Sequence, residues 1–523
     1  MPSRSSVATP SVVLLRPGDV VAVACRPLRA GQPLELDGAN GAVTAAPIPA
    51  GHKVAVRDVA DGEPITKYGQ IIGFARGAIR TGDHVHVHNC EARAFERDYA
   101  FASDVPPAPR ASRVDNFRGY LRRDGRAGTR NYVAVISTVN CSASTSRYVA
   151  DRIRASGCLD DHPSIDGVLP LTHKTGCGMA YDSDDHLQLE RTLAGFARHP
   201  NIGAYVLIGL GCEIGQASHL IDSQRLVQVE GAAAPPAGSP PPVITIQDAG
   251  GITRTIDAAV KALAELLPRA GDVERRELPA SLLVLGTECG GSDGNSGVTA
   301  NPALGVAADL LVAQGGTVIL AETPEIYGAE HLLTRRAISR EVGEKLIERI
   351  RWWERYTALF GAEINNNPTP GNKDGGLTTI YEKSLGAVAK GGSTALTAVY
   401  RYAEPVTAKG FTVMDTPGYD PVSMTGMVAG GANICCFTTG RGSVYGCKPT
   451  PCIKIATNTP LYERMIDDMD IDAGVILTGT PLDAVGREIY AQVLRVASGE
   501  KTKSELHGVG EEEFIPWNIG PTL

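Results

Sequence analysis

The sequence contains no apolar run approaching the roughly 20 residues that a membrane-crossing helix requires. Its opening stretch, Met1 to Pro10, is polar and lacks the apolar core of a secretory signal. No membrane partner is therefore expected, and the cytoplasm is the expected compartment. Excess positive charge is also missing. The net charge is −8, which argues against nucleic acid or an anionic membrane surface as the main partner. A local basic patch can still serve an anionic substrate. No Gly-x-Gly-x-x-Gly follows the first strand-like run and there is no P-loop, so the common nucleotide fingerprints are absent. Aromatic residues make up only 5% of the chain, and none of its 11 cysteines forms a local Cys-x-x-Cys pair.

What is present is a globular composition, 43% hydrophobic and 21% charged, over 523 residues. That length exceeds one ordinary core and implies two or three domains. Glycine is abundant, with 59 residues, as expected where backbone turns tightly or approaches a ligand. Residues 10–93 read as a small β domain: short Val-rich runs such as Val20–Ala24 and Lys53–Val56 lie between Gly, Pro and Asp turns. Residues 94–115 are rich in proline and charge and read as a linker. Strands and helices then alternate. Tyr132–Ile136, Tyr205–Gly209 and Leu282–Gly286 are continuous apolar runs, and Ser144–Arg154 is helix-like. This pattern predicts an α/β body with parallel sheets covered on both faces, divided into domains over 116–275 and 276–523. The segment Gly231–Pro242 is too proline-rich for either element and reads as a surface loop.

Four cysteines, Cys141, Cys177, Cys212 and Cys289, follow strand-like runs or lie in the adjoining Gly turns. In an open parallel sheet the carboxyl ends of strands share one edge, where ligands bind. The thiols can therefore converge on iron, an iron–sulfur cluster or zinc. Equally, they can be small side chains packed in tight turns. Cys158, Cys435, Cys436 and Cys452 lie in apolar or loop contexts that favour packing. If only three of the four thiols cluster, Cys141 is the one expected to be left out, and three ligands would leave an open position. Three polar Gly-rich loops contain Ser292 and Asp293, Asn372 and Lys373, and Arg441. Together they suggest a ligand that is polyhydroxylated and carries a carboxylate. His84, His86 and His88 alternate and so share one strand face. That face can bind a metal, or it can simply be solvated. His52 and Lys53 form a candidate anion-binding pair, expected to face the crevice of the body. His173, near Cys177, is a candidate base or ligand.

The phrases GHKVAV, KYGQIIGFA, GYLRRDGRAGTRNYVAVISTVNC, THKTGCG, LIGLGCE, TECGGSDGNSGVTANPALG, NPTPGNKDGG and FTTGRGSVYG resemble the motifs of the altronate and galactarate dehydratase family, in the same order. HVHVHN and PEIYGAEHLL resemble its altronate branch. The resemblance implies that the first domain is a β-clip of the SAF type and that the substrate is a small-molecule sugar acid. It also implies iron dependence, as mononuclear Fe2+ or an iron–sulfur cluster, with Cys141, Cys177, Cys212 and Cys289 carried over as the metal candidates. Such a hydro-lyase takes a proton from C2 and expels the C3 hydroxyl, giving a 2-keto-3-deoxy acid. A Lewis acid and a positioned base make that elimination feasible. His52, His173 and Lys373 are the catalytic candidates, and Lys53, Ser292, Asp293, Asn372 and Arg441 the substrate-binding ones. A related lyase acting on sulfolactate, a non-catalytic sugar-acid-binding protein, and a regulatory metal role for the histidine strand are the rival readings. A homo-oligomer is left as an expectation.

Overall fold

Short β-branched segments broken by glycine turns build two small antiparallel sheets at the start of the chain. The first contains Val12–Val13, Val21–Ala24, Lys53–Ala55 and His84–Val85; the second contains Pro64–Lys67, Gln70–Ala75 and Cys90–Glu91. The computed structural model describes residues 10–36, 42–229 and 239–522. Most of the proline-rich Gly231–Pro242 segment lies outside them. Residues 94–115 form neither helix nor strand. They run along the body, where Ala102 and Asp104 donate to the carbonyls of Thr334 and Arg335, and Ala111 donates to that of Ala313.

The body is α/β and its large sheets are parallel, as the alternating pattern predicts. One sheet has four strands in the order Gly167–Leu171, Tyr132–Ser137, Ile202–Gly209, Val243–Thr245, all parallel. Helices Ala143–Ser156 and Ile252–Gly271 cover one face of it through Val149, Ile153, Leu263 and Leu267. The second sheet has seven parallel strands, ordered Leu396–Tyr400, Gly410–Met414, Thr317–Leu320, Val284–Cys289, Ile434–Thr439, Cys452–Ala456, Ile471–Asp472. A small antiparallel sheet stands between the two, where Asn116–Leu121 pairs with Arg276–Pro279 and Ala127–Gly128. Among the described residues, no helix is long and apolar enough to cross a membrane.

The small sheets share one continuous core with the seven-stranded sheet: Val21, Ile65, Ile72 and Val85 lie in the same apolar cluster as Leu304, Leu320 and Val388. At the centre of this junction is an ion triad. Thr379 caps helix Ile380–Ala387, its hydroxyl accepting from the Glu382 amide and donating to the Ile72 carbonyl. The Glu382 carboxylate then receives Lys53 Nζ from one small sheet and Lys67 Nζ from the other, each at 2.9 Å. All three side chains are 0% exposed. Burial opposes the charge on Glu382, but the two ammoniums outweigh it and hold the carboxyl well below the usual carboxylate range. The second needs of the lysines are met by the Gly376 carbonyl, 2.6 Å from Lys53 Nζ, and the Gly294 carbonyl, 3.4 Å from Lys67 Nζ.

Removing one partner of a buried ion cluster leaves uncompensated charge in a low dielectric, at a cost of about 3–5 kcal/mol. Glu382→Gln is expected to lower the unfolding free energy measured in urea by that order without abolishing folding. Because the carboxyl titrates below its ordinary range, its stabilisation is present above that range and is lost as pH falls through the depressed value. A loss under about 1 kcal/mol in equilibrium denaturation would show that the lysines find other partners and that the triad does not hold the junction.

Candidate active site between the small sheets and the body

The turn before strand Lys53–Ala55 carries His52, and strand His84–Val85 pairs antiparallel with that strand, Val54 opposite His84. The strand ends at Val85, so His84, His86 and His88 do not share a strand face; the turn that follows, in which the Asn89 amide donates to the His86 carbonyl, brings His86 beside His84. Three rings meet as a result: His52 and His84 are 5.1 Å apart between centroids, His52 and His86 5.0 Å, and His84 and His86 5.3 Å. One ring nitrogen from each of the three lies within 4.8 Å of the other two. His88 is exposed and lies beside His84, at 5.7 Å between ring centroids.

The cluster abuts the body because glycine turns interlock there. A Cβ on Gly294 would stand 1.9 Å from the Gly51 carbonyl oxygen, and one on Gly376 would stand 2.6 Å from it. Only glycine permits such an approach. The Gly294 amide donates to the Gly375 carbonyl at 2.8 Å. His52 Nε2 is 3.1 Å from the Asp374 carbonyl oxygen. A carbonyl can only accept, so Nε2 carries the hydrogen and Nδ1 is the acceptor, 3.0 Å from His84 Nε2. Burial comes first and the neighbouring histidines second in pushing His84 down to about 3. Burial likewise pushes His86 down to about 4, and it lowers His52. Three neutral imidazoles with converging ring nitrogens are a transition-metal donor set once His84 Nε2 passes its hydrogen to the other ring nitrogen. His86 Nδ1 is buried with no hydrogen-bond partner.

The loops expected to bind substrate surround this cluster, with their roles redistributed. Lys53 is not open to a ligand, since its ammonium is fully buried against Glu382. Asp293 is also spent internally: its carboxylate receives Thr457 Oγ1 at 3.0 Å, Asn458 Nδ2 at 3.2 Å and Ser296 Oγ at 3.1 Å. Asn372 caps its own turn through Thr369 and donates to the Ser292 carbonyl at 2.9 Å. Asp293 and Asn372 therefore shape the loops instead of presenting free groups. Ser292 Oγ and Asn295 Oδ1, by contrast, are buried without a partner. Arg441 is exposed, and its stem passes Gly375, where a Cβ would meet Arg441 Cδ at 3.3 Å. Lys373, half-buried, precedes Asp374. Among the described residues, neither Lys373 nor Arg441 is held in an ion pair. Two basic residues without an ion pair thus lie on the loops that abut the histidine cluster.

The cysteines divide between two sheets. Cys141, Cys177 and Cys212 are exposed and follow three neighbouring parallel strands. Their loops touch, the Asn140 amide donating to the Thr175 carbonyl and that of Gly215 to the Gly176 carbonyl. The three sulfurs are nevertheless not among the ligand sets that close to within 4.8 Å. Cys289 is the one set apart, in place of Cys141. It ends a strand of the other sheet, fully buried, with Lys390 Nζ 2.6 Å from Sγ. His173 stays with the four-stranded sheet: Nε2 donates to the Ser137 carbonyl at 3.1 Å, Nδ1 faces Thr175 Oγ1 at 2.9 Å, and burial lowers it to about 4. No contact joins it to His52. Cys435, Cys436 and Cys452 are core residues. Glu382 escapes sequence reading, because one carboxylate in an ordinary helical stretch carries no signal of two lysines more than 300 positions upstream.

Three family models match the chain in series. The altronate/galactarate dehydratase SAF domain covers residues 10–93, the second domain of D-galactarate dehydratase/altronate hydrolase covers 119–271, and the D-galactarate/altronate dehydratase C-terminal domain covers 280–522. The chain is 34% identical to altronate dehydratase of Bacillus subtilis (strain 168), over 98% of this chain and 100% of that one. It is 37% identical to galactarate dehydratase (L-threo-forming) of Escherichia coli (strain K12), over 91% and 90% of the two chains. It is 32% identical to the (2R)-sulfolactate sulfo-lyase subunit beta of Chromohalobacter salexigens, over 76% of this chain and 96% of that subunit.

The donor set makes a direct prediction. Co2+ added to the full chain should give visible ligand-field bands with one equivalent saturating. Those bands should disappear in a His84→Ala, His86→Ala double variant whose circular dichroism is unchanged. Equal spectra from the two proteins would remove the cluster from consideration as a metal site.

Proposed function

The chain belongs to the D-galactarate/altronate dehydratase family, and from that premise we propose that it is a hydro-lyase removing water from a sugar acid, an aldonate or aldarate with altronate favoured, to give a 2-keto-3-deoxy acid. The observation that carries the reading is the convergence of three imidazoles at interlocked glycine turns, on loops that also bear Lys373 and Arg441, two basic residues without an ion pair. Iron as Fe2+ suits this donor set, with His52, His84 and His86 as the groups that would hold it. When bound, it would supply a Lewis acid for the carboxylate or the departing hydroxyl.

The protein's own groups do the rest. Arg441 offers a planar fork for the carboxylate. Lys373 Nζ, as the neutral amine, is the group assigned to receive the C2 proton. His52 is oriented through the Asp374 carbonyl, so the loop bearing Lys373 and the histidine cluster are fixed to one another. Cys141, Cys177 and Cys212, exposed on adjoining loops, remain an alternative place for an iron–sulfur cluster with one open position. Eleven unpaired thiols favour a reducing compartment, and we place the protein in the cytoplasm.

A lyase expelling sulfite from sulfolactate is the second reading, motivated by the likeness to the sulfo-lyase subunit. Protein loaded anaerobically with Fe2+ should form keto acid from altronate or galactarate, read as the semicarbazone. Release of sulfite from sulfolactate without keto acid from any sugar acid would favour the second reading, and no turnover of either class would dismiss both. Removing one charge-assisted contact is worth about 1.5–3 kcal/mol, so Arg441→Ala should raise KM roughly 10- to 100-fold. Lys373→Ala should act mainly on kcat. An unchanged kcat would take the proton-accepting role from that lysine.

A further inference from the structure

The chain has three tryptophans, Trp352, Trp353 and Trp517, and all of them meet at one place. Trp353 and Trp517 stack at 5.2 Å between ring centroids, and Trp352 stands edge-on to Trp517 at 5.6 Å. Trp352 and Trp353 belong to helix Arg340–Leu359, and Trp517 to the C-terminal segment. That segment is laid on helix Asp184–Ala197 of the four-stranded unit. Gln188 Nε2 donates to the Trp517 carbonyl at 2.8 Å, and the Ile519 amide donates to Asp185 Oδ1 at 2.7 Å. The tryptophans therefore mark a seam between the body and that unit. A cavity of about 210 Å3 opens in the seam, walled by Trp352, Tyr402 and Trp517 and by Arg191, Arg349 and Arg401. None of its lining residues belongs to the histidine cluster or to the loops around it.

The three arginines are set against two acids, Asp184 and Asp415. Asp415 is already occupied: its Oδ1 receives Trp353 Nε1 at 2.8 Å and Thr323 Oγ1 at 2.6 Å. Arg349 is steered by acids, Nη2 touching Glu348 and Nη1 lying 3.9 Å from Asp415 Oδ2. The other two arginines differ. Arg191 reaches only a carbonyl, its Nε 3.4 Å from the Tyr402 oxygen. Among the described residues, neither Arg191 nor Arg401 is in an ion pair. Burial comes first in lowering Arg191, and Arg401 lowers it further, against Glu404 and Asp184. Glu404 is itself engaged, accepting from the Arg401 amide at 2.8 Å. Arg349 and Arg401 also line a neighbouring cavity of about 260 Å3, so both stand on a shared wall. A partly desolvated guanidinium without a counter-charge is costly, and its planar fork of donors matches an oxyanion.

We propose that this cavity binds a small dianion, a dicarboxylate or a phosphate, at a site separate from the one where water is eliminated. Two arginines without a carboxylate partner match two negative charges. The indole and phenol rings supply the apolar wall, and the volume suits a ligand smaller than a nucleotide. Because the walls come from the four-stranded unit, the body and the C-terminal segment, an occupant bridges all three and stabilises their junction by mass action. The competing arrangement is a cavity that holds only water, with Arg191 and Arg401 hydrated.

Tryptophan fluorescence reads this site directly, because every tryptophan of the chain is there. Succinate and inorganic phosphate are the probes. Each is titrated separately into the full chain at mildly alkaline pH, where both are dianions, with ionic strength held constant by NaCl. At least one of them should change the emission along a saturable, single-site curve. Saturation by one probe alone identifies which dianion the cavity takes. Arg401→Ala, at an exposed position, should weaken that binding roughly tenfold or more, the worth of one charge-assisted contact. Arg191→Ala should do the same. Arg441→Ala alters the crevice and should leave this binding as it is. No saturable change with either probe in the unmutated protein would overturn the site and leave the water-filled cavity as the answer. Equal affinity with and without Arg401→Ala, or loss of the signal in Arg441→Ala, would overturn it as well.

Discussion

The junction between the two small sheets and the body depends on one buried carboxylate. Glu382 receives one lysine from each of the two small sheets, so a single side chain fixes both to the body. The triad carries one more positive than negative charge, and the Gly376 and Gly294 carbonyls help to compensate. Those carbonyls belong to the same loops that interlock with Gly51. Ion pairing and backbone packing are therefore one device, and His52 lies directly beside it. A surface salt bridge could not do this, because side-chain entropy and screening would leave it close to neutral.

The histidines and the carboxylates at the carboxyl edge of the seven-stranded sheet form separate groups. The histidines are half-buried to buried and uncharged, suited to a borderline metal that must exchange ligands with a substrate. Glu288, Glu322 and Glu325 of the second group are fully enclosed. Helix Ile380–Ala387 stands between them and serves both, with Glu382 directed to the small sheets and its neighbour Lys383 to Glu325. Adjacent residues on one helical turn thus link the two regions mechanically.

The parallel body was legible in the sequence because fully buried strands write continuous apolar runs, and Tyr132–Ser137, Ile202–Gly209 and Val284–Cys289 all do so. The small β unit was legible from its turn spacing. The site was read less completely. The glycine loops and His52 were visible as local phrases, and Lys373 and Arg441 stand unpaired where those phrases lie. Lys53, Asp293 and Asn372 have the right chemistry for a ligand, but their capacity is taken up by Glu382, Thr457 and Ser292, partners far away in the chain. Sequence spacing places a thiol at a strand end and does not say which sheet that strand joins, which is why Cys289 lies apart from Cys141, Cys177 and Cys212.

The small antiparallel sheet between the two parallel ones has a topological meaning. Asn116–Leu121 leads the chain into the four-stranded unit and Arg276–Pro279 leads it out, and these two strands are paired to each other, Gly119 opposite Arg276. Entry and exit are therefore one ladder spacing apart, roughly 5 Å. The unit between them, with its three exposed thiols, is a closed cassette inserted into a body that would remain continuous without it. A short turn joining the two strands would span the gap in the chain path, but Leu193 and Phe196 of the cassette lie in one apolar cluster with Met424 and Phe437 of the body, so the cassette is an insertion in sequence that is fused to the scaffold in packing.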